Sequence, residues 1–391
     1  MAQKEKIIWV YPYINCWMGG TKFIFQILKH LKEYADVGIA VCSIDDERRK
    51  SFEAAGIEVY DFKLPSTDSL FFWPFFHKNV SQAAKKLKEI VEKNAVTQVV
   101  SGMFPMNVIC DKAGIEYSQY IFEPYAFFWD QEMIRGYPFV KRMLLHILKF
   151  IFGKKDIRST QKARKLFTLT KDVEKCIKLV YKKESYPTGI GVNIYSAESS
   201  RYSEEFKNTT LLYHSTDFTP CKKTGFMIDV FEALLRENKN IHLAITVPVA
   251  ASKDIENLKK DLQKRALEKH VHIFSQLSEQ ELQELLYCTD IAVYPGYSEG
   301  SGVSSVSLFV LECLAHGIPV VRTDTCKYEV LDQETGYVFE RGNVEQCINR
   351  TKELITHKSK RLEMGQKARQ DIKERFSWTT TAKKLWKGLE Q

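Results

Sequence analysis

Short apolar runs alternate with longer stretches of three-to-four periodicity along nearly the whole chain, a pattern that predicts parallel sheets covered by helices. In the first half, Ile7–Tyr11, Val37–Cys42, Glu58–Phe62, Gln98–Ser101, Tyr117–Phe122 and Leu166–Thr170 read as strands. Thr21–Tyr34 reads as a helix with Ile24, Ile27, Leu28 and Leu31 on one face. The second half repeats the architecture with Leu211–Ser215, Ile241–Val247, Val271–Phe274, Ile291–Tyr294, Val320–Arg322 and Tyr337–Phe339. Ser278 and Glu281 have the spacing of a capping box, and Leu277 with Leu282 that of a hydrophobic staple, so a helix starts there. The polar, Ser- and Glu-rich stretch 196–208 reads as the linker between the halves.

The expectation is therefore an α/β chain of two doubly wound, Rossmann-like domains, 1–195 and 209–372, facing a cleft at the C-terminal ends of their strands. Ligands of such sheets bind there. A length of 391 residues suits two domains better than one core. With 44% apolar and 27% charged residues the chain is neither disordered nor membrane-spanning in make-up. Nine scattered cysteines, none in a C-x-x-C pair, suggest neither a zinc knuckle nor a disulfide framework and fit a reducing cytosol. The first residues enter an apolar strand without a signal-peptide core, and no apolar run approaches the ~20 residues of a spanning helix. A net charge of +8 suits an anionic partner without choosing among phosphate ligands, nucleic acid and acidic membrane.

The chemistry concentrates in Asp290–Val321. A buried strand runs into a loop holding Gly296, Glu299, Gly300, Ser301, Gly302, Ser304 and Ser305, and a helix with Glu312 follows. Glycines let backbone N–H groups approach a phosphate, and the helix N-terminus adds donors and partial positive charge. The carboxylates of Glu299 and Glu312 are suited to accept hydrogen bonds from sugar or ribose hydroxyls. The plain alternative is a Gly/Ser turn with a solvent-facing Glu299. There is no Walker A, H-E-x-x-H, G-x-S-x-G or D-x-D pattern, the histidines lack ligand spacing, and no nucleic-acid module appears. No metal or cofactor is expected, and no nucleic-acid partner. Gly189 and Gly191 lack the rest of a dinucleotide fingerprint.

Asp290–Gly302, followed by Glu312-Cys-Leu-Ala-His-Gly-Ile-Pro-Val-Val, resembles the retaining GT-B glycosyltransferases of family four. The resemblance spans most of the chain, from Gly19-Gly20 between the first strand and first helix to Glu334–Phe339 and the tail Arg361–Trp378. It implies a nucleotide-sugar donor (a UDP- or GDP-sugar), with Glu299 orienting the sugar and Glu312 the ribose. The two glutamates are spaced more widely here than in the family, so counting back from the helix puts Ser304 in place of Glu299. The resemblance further implies that Lys223 or Lys222 neutralises the leaving diphosphate together with the Gly300–Gly302 amides. Gly19 and Gly20 then bring their loop to the donor. Glu123 is placed to hold an acceptor or sugar hydroxyl. The last helix, 373–391, is expected to pack back onto the first domain. An arginine the family carries shortly before the lysine is replaced by Ser215-Thr216-Asp217-Phe218. A nucleotide-sugar epimerase and a non-catalytic nucleotide-sugar binder stay open beside the transferase.

One segment points to the acceptor. Across 136–155, Phe139, Met143, Leu144, Ile147, Leu148, Ile151 and Phe152 fall on one helical face, flanked by Lys141, Arg142, Lys149, Lys154 and Lys155. Such a helix can lie among anionic headgroups without crossing the bilayer. The aromatic run 70–78 in the same domain can dip beside it. On this reading the protein is cytoplasmic and peripheral on the membrane, with a glycan or lipid-linked acceptor. The alternative is that the face packs on its own sheet.

Overall fold

The computed structural model describes residues 5–69, 71–194, 199–296, 306–325 and 328–391. The chain forms two compact units, one of Met1–Gly191 with Trp378–Gln391 and the other of Val192–Ser377.

The first unit is built on a parallel sheet of β1 (Lys6–Ile14), β2 (Asp36–Ile44), β3 (Glu58–Asp61), β4 (Gln98–Ser101), β5 (Ser118–Ile121), β6 (Leu166–Thr168) and β7 (Tyr186–Pro187), in the order β3-β2-β1-β4-β5-β6-β7. Helices cover both faces, so its central strand is apolar without alternation, and Ile7, Ile8, Trp9 and Val10 are all fully buried. The second unit repeats the plan with β8 (Thr210–Ser215), β9 (Ile241–Val247), β10 (Val271–Ser275), β11 (Ile291–Tyr294), β12 (Val320–Thr323) and β13 (Gly336–Phe339), ordered β10-β9-β8-β11-β12-β13. All registered pairs are parallel, for example Val293 beside Val321 and Leu212 beside Leu243. In both sheets the order reverses beside the first strand of the unit: between β1 and β4, and between β8 and β11. Those two switch points are where open α/β sheets hold ligands.

The predicted strands all form, with ends shifted by a few residues. The capping box at Ser278 forms as expected: its amide donates to Glu281 Oε2 at 2.9 Å and its Oγ accepts from the Glu281 amide at 3.3 Å. Three readings change. The first helix is Gly19–Leu31, so Gly19 and Gly20 form its first turn rather than a loop before it. The reason is local, since Thr21 Oγ1 accepts from the Met18 amide at 2.8 Å and closes the helix start two residues early.

The polar stretch read as linker is packed on the second unit over its described residues. Phe206 is buried with its ring 5.0 Å from His272, Tyr202 stacks edge-on to Phe274, and Arg201 pairs with Glu281 and Glu284. The units divide instead at Gly191. There the backbone lies so close to Trp378 that a Cβ has no room, which gives this glycine a packing role. At the other end, Lys358–Arg375 stays with the second unit, and the chain returns to the first at Trp378 rather than at 373. The terminal helix Trp378–Glu390 then buries Trp378, Ala382, Leu385 and Leu389, with Trp378 5.5 Å from Phe23 and Trp386 stacked on Tyr34.

Candidate functional site

The second unit's switch point is framed by the turns that leave β8 and β11. After Ser215, Thr216 Oγ1 bonds to Thr224 Oγ1 at 2.6 Å and accepts from the Phe218 amide at 2.9 Å, which folds the turn back on itself. Asp217 accepts from the Thr219 amide at 2.9 Å. A single 3-10 turn, Pro220–Lys222, follows, and Lys223 takes left-handed backbone geometry (φ 54°) to start the helix Thr224–Glu237. Lys222 and Lys223 are thus half-buried cations at a helix N-terminus, directly beyond the switch-point strand. Helix-start amides with nearby cations are the elements from which anion sites are built in general.

Under that turn, Lys222 Nζ lies 5.7 Å from the Tyr294 ring, and the Arg322 guanidinium 5.5 Å from the same ring. Gly296, just past β11, comes so close to the Cys221 carbonyl that an added Cβ would sit 2.9 Å from its oxygen. Close backbone approach is the physical demand for glycine here. Glu312 is half-buried on the helix Leu308–Ala315, which spans from this turn toward β12. That helix is seated by Phe309, whose ring lies 5.0 Å from Tyr213 of β8 and 5.6 Å from Tyr294 of β11. The fold therefore brings Lys222, Lys223 and the helix of Glu312 to one edge of the sheet. Glu299, Gly300, Ser301, Gly302, Ser304 and Ser305 lie outside the described residues, so the choice between Glu299 and Ser304 stays where the sequence left it.

Two features here gave no sequence signal. His214, on β8, is fully buried; its Nδ1 bonds to the Val293 carbonyl at 3.1 Å, and Nε2 has no partner among the described residues. Burial first, then the charge of Lys222, pushes its pKa down to about 4, leaving a neutral ring. Arg322 and Glu329 form an ion pair with both side chains fully buried. A buried charge announces itself only through its partner, and the partner comes from tertiary structure.

In the first unit, Gly20 faces the Tyr11 hydroxyl, with 2.9 Å left for a Cβ, whereas Gly19 faces open space. Glu123 is exposed just past β5. Its charge acts on Tyr11, whose hydroxyl is held well above the usual range by burial first and then by Tyr13, Cys16 and Glu123. Gly20, Tyr11 and Glu123 thus assemble at the C-terminal edge of that sheet. Among the described residues, no cluster of His, Cys, Asp and Glu is placed to hold a metal ion.

The basic apolar segment forms the helix Phe139–Lys162. Leu148 and Phe152 turn inward, contrary to their assignment to the outer face, with Phe152 4.2 Å from Phe76. Asp156 anchors the same inner side, accepting from Asn107 Nδ2, Trp129 Nε1 and Tyr181 Oη at 2.9, 2.9 and 3.0 Å. The outer face keeps Phe139, Val140, Met143, Leu144, Ile147, Phe150 and Ile151 exposed, Phe150 by 86%. Phe71 and Phe75 are exposed beside buried Phe72 and Phe76. No described helix is long and apolar enough to cross a membrane.

Residues 196–371 match the model of glycosyl transferases group 1. The matched residues fall within the second unit. A sulfoquinovosyl transferase of Arabidopsis thaliana is 30% identical over 132 residues, 32% of this chain and 25% of that protein. An uncharacterized glycosyltransferase of Methanocaldococcus jannaschii is 26% identical over 249 residues, 62% of this chain and 60% of that one. The matched regions span only those shares of the two relatives' lengths. Among solved structures, Anabaena HepE, crystallised with UDP and glucose, superposes with a TM-score of 0.74 at 12% identity, covering 99% of both chains. The architecture is thus the GT-B fold.

Proposed function

We propose that this protein is a glycosyltransferase that moves a sugar from a nucleoside-diphosphate sugar to an acceptor hydroxyl with retention of configuration, in the synthesis of a cell-surface glycan or glycolipid. The observation that carries the reading is the Lys222–Lys223 turn at the N-terminus of the helix Thr224–Glu237, set at the switch point of the unit that the group 1 model matches. In this mechanism Lys223, assisted by Lys222 and the Gly300–Gly302 amides, stabilises the charge that builds on the diphosphate as the glycosidic bond breaks. Glu312 accepts from the ribose hydroxyls. Glu299, or Ser304 in its place, holds the donor sugar. The departing phosphate takes the acceptor proton on the same face, so the protein supplies position and charge rather than a nucleophile. Glu123 holds an acceptor or sugar hydroxyl, and Gly19 and Gly20 approach the donor. UDP in the Anabaena neighbour favours a uridine donor; a GDP-sugar is the other candidate.

The acceptor is read as lipid-linked, presented at an anionic cytoplasmic membrane surface on which the exposed face of Phe139–Lys162 rests. An apolar stripe flanked by lysines and arginines is complementary to such a surface. Isothermal titration with UDP, GDP and their sugars tests the donor reading: tight binding of one nucleotide series is expected, and no binding of either removes it. The stretch 215–218 offers Asp217 where a cation would serve the leaving group, which favours a nucleotide-sugar binder as the second reading. Binding without turnover, in the presence of lipid acceptors, is its signature. Turnover of the donor without any acceptor would point to an epimerase.

A further inference from the structure

Thr323, the last residue of β12, and Glu329, six residues further on, contact Gly296 just past β11 and Ser307 at the start of the helix of Glu312. Thr323 Oγ1 donates to the Gly296 carbonyl at 2.9 Å. Glu329 Oε1 accepts from the amide of Ser307, the residue that caps the helix Leu308–Ala315. The other carboxylate oxygen of Glu329 is paired with Arg322 on β12. Arg322 is in turn oriented by Nε donating to the Thr323 carbonyl at 3.2 Å. The backbone around Glu329 is itself held, since Arg375 donates to the carbonyls of Tyr328 and Glu329 at 2.7 and 3.2 Å. Arg322, Thr323 and Glu329 are all essentially inaccessible to water.

A fully buried ion pair is a poor device for stability alone, because well-packed apolar residues of the same volume do as well or better. Its presence here, on the one amide that begins the helix of Glu312, needs another account. We propose that Arg322, Glu329 and Thr323 are positioning residues that fix Gly296 beyond β11 and Ser307 at the start of the helix of Glu312. They would preset the direction of the Ser307 amide, and with it the helix that carries Glu312, before any nucleotide arrives. This rests on the donor reading given above. A site whose supporting contacts are already made spends less ordering on its ligand, so losing them weakens donor binding more than it changes turnover.

The test uses the full chain and two double variants that both remove the buried charges. Arg322→Met with Glu329→Gln keeps an acceptor for the Ser307 amide; Arg322→Met with Glu329→Leu does not. Comparable melting temperatures are expected for the two. In the leucine variant and in Thr323→Val, the Kd for UDP and the KM for the nucleotide sugar should rise by roughly ten-fold or more, the effect of orphaning a buried polar group. The kcat should move less, and the glutamine variant and Thr323→Ser should restore binding. Amide exchange at Ser307 in the unliganded protein should quicken in the leucine variant alone. Should a double variant fail to fold, the pair Thr323→Val and Thr323→Ser carries the same comparison. If the wild type binds no nucleotide, the donor reading falls, and Ser307 exchange still decides the clamp. Unchanged exchange, or unchanged UDP affinity in the leucine variant and Thr323→Val, overturns the proposal.

Discussion

Gly296 is the residue where the lysine turn and β11 meet most tightly, and a methyl group there has 2.9 Å to the Cys221 carbonyl oxygen and 2.9 Å to the Tyr294 ring. Neither neighbour is a flexible tip, so Gly296→Ala is expected to cost about 1–3 kcal/mol of stability, the usual range for overpacking. It should also weaken UDP binding by displacing Lys222; a melting curve and a titration check both. Glu312→Ala should weaken UDP binding roughly ten- to hundred-fold, as expected for a lost hydrogen bond to a charged group. An unaltered dissociation constant would remove Glu312 from the site. His214 sets a pH dependence. Its folded pKa is lowered to about 4, so between about 6.5 and 4 the unfolded chain holds a proton that the folded chain refuses. Stability then rises with pH through that window and is lost as pH falls, by on the order of 3 kcal/mol for this group. His242 and His272, 2.9 Å apart, are lowered in the same direction by burial first and steepen the loss. Replacing His214 by Asn, which keeps a donor toward Val293, should flatten the acid limb of a denaturation series. The placement of the lysines in the turn after β8, and of Glu312 on the helix that follows β11, was legible in the sequence because each follows a clear apolar strand. His214, Arg322 and Glu329 were not, because nothing local distinguishes a buried charge from a surface one.

At the scale of elements, the central strands were legible because they are short apolar runs buried on both faces, a property of composition alone, whereas the edge strands β3 and β10 are largely half-buried. What periodicity could not show was which side of an apolar helix turns inward. In Phe139–Lys162 the apolar residues go nearly all round, and only the aromatic packing of Phe152 and the buried Asp156 decide the orientation. Likewise the stretch around Tyr202 and Phe206 looked like a linker because its few apolar residues are outnumbered, yet those few are what dock it. β7 is two residues long and was below any pattern's reach. The outer helix face carries its own prediction. Changing Lys149, Lys154 and Lys155 to Glu should reduce binding to anionic vesicles by roughly a hundred-fold or more, since each basic residue contributes about 1 kcal/mol near such a surface. Phe150→Ser should weaken vesicle binding while leaving the melting temperature almost unmoved, because an 86% exposed side chain holds little of the fold. Co-sedimentation that is indifferent to lipid charge and to both changes would end the membrane reading and leave the donor site untouched.

For the whole molecule, the two units have separate cores, and the chain leaves the first at Gly191 only to rejoin it at Trp378. The last fourteen residues, 378–391, therefore belong energetically to the first unit although they follow the second in sequence. Trp378, Leu385 and Leu389 are each buried to 5% exposure or less. Full burial of a large apolar side chain is worth about 1.5–3 kcal/mol, so the three together approach the ~5–15 kcal/mol that holds a typical domain. Two cores predict two calorimetric transitions. Saturating UDP should raise one of them: ligand at a hundred times its Kd adds about 2.7 kcal/mol, or roughly 5–10 °C for a unit of this size. Deleting Trp378–Gln391 should lower or abolish the other, which is the first unit's, while the UDP-responsive transition keeps its shift. If the deletion instead removes the UDP-responsive transition and spares its partner, the terminal helix supports the nucleotide-binding unit, and the division of the chain at Gly191 and Trp378 is wrong.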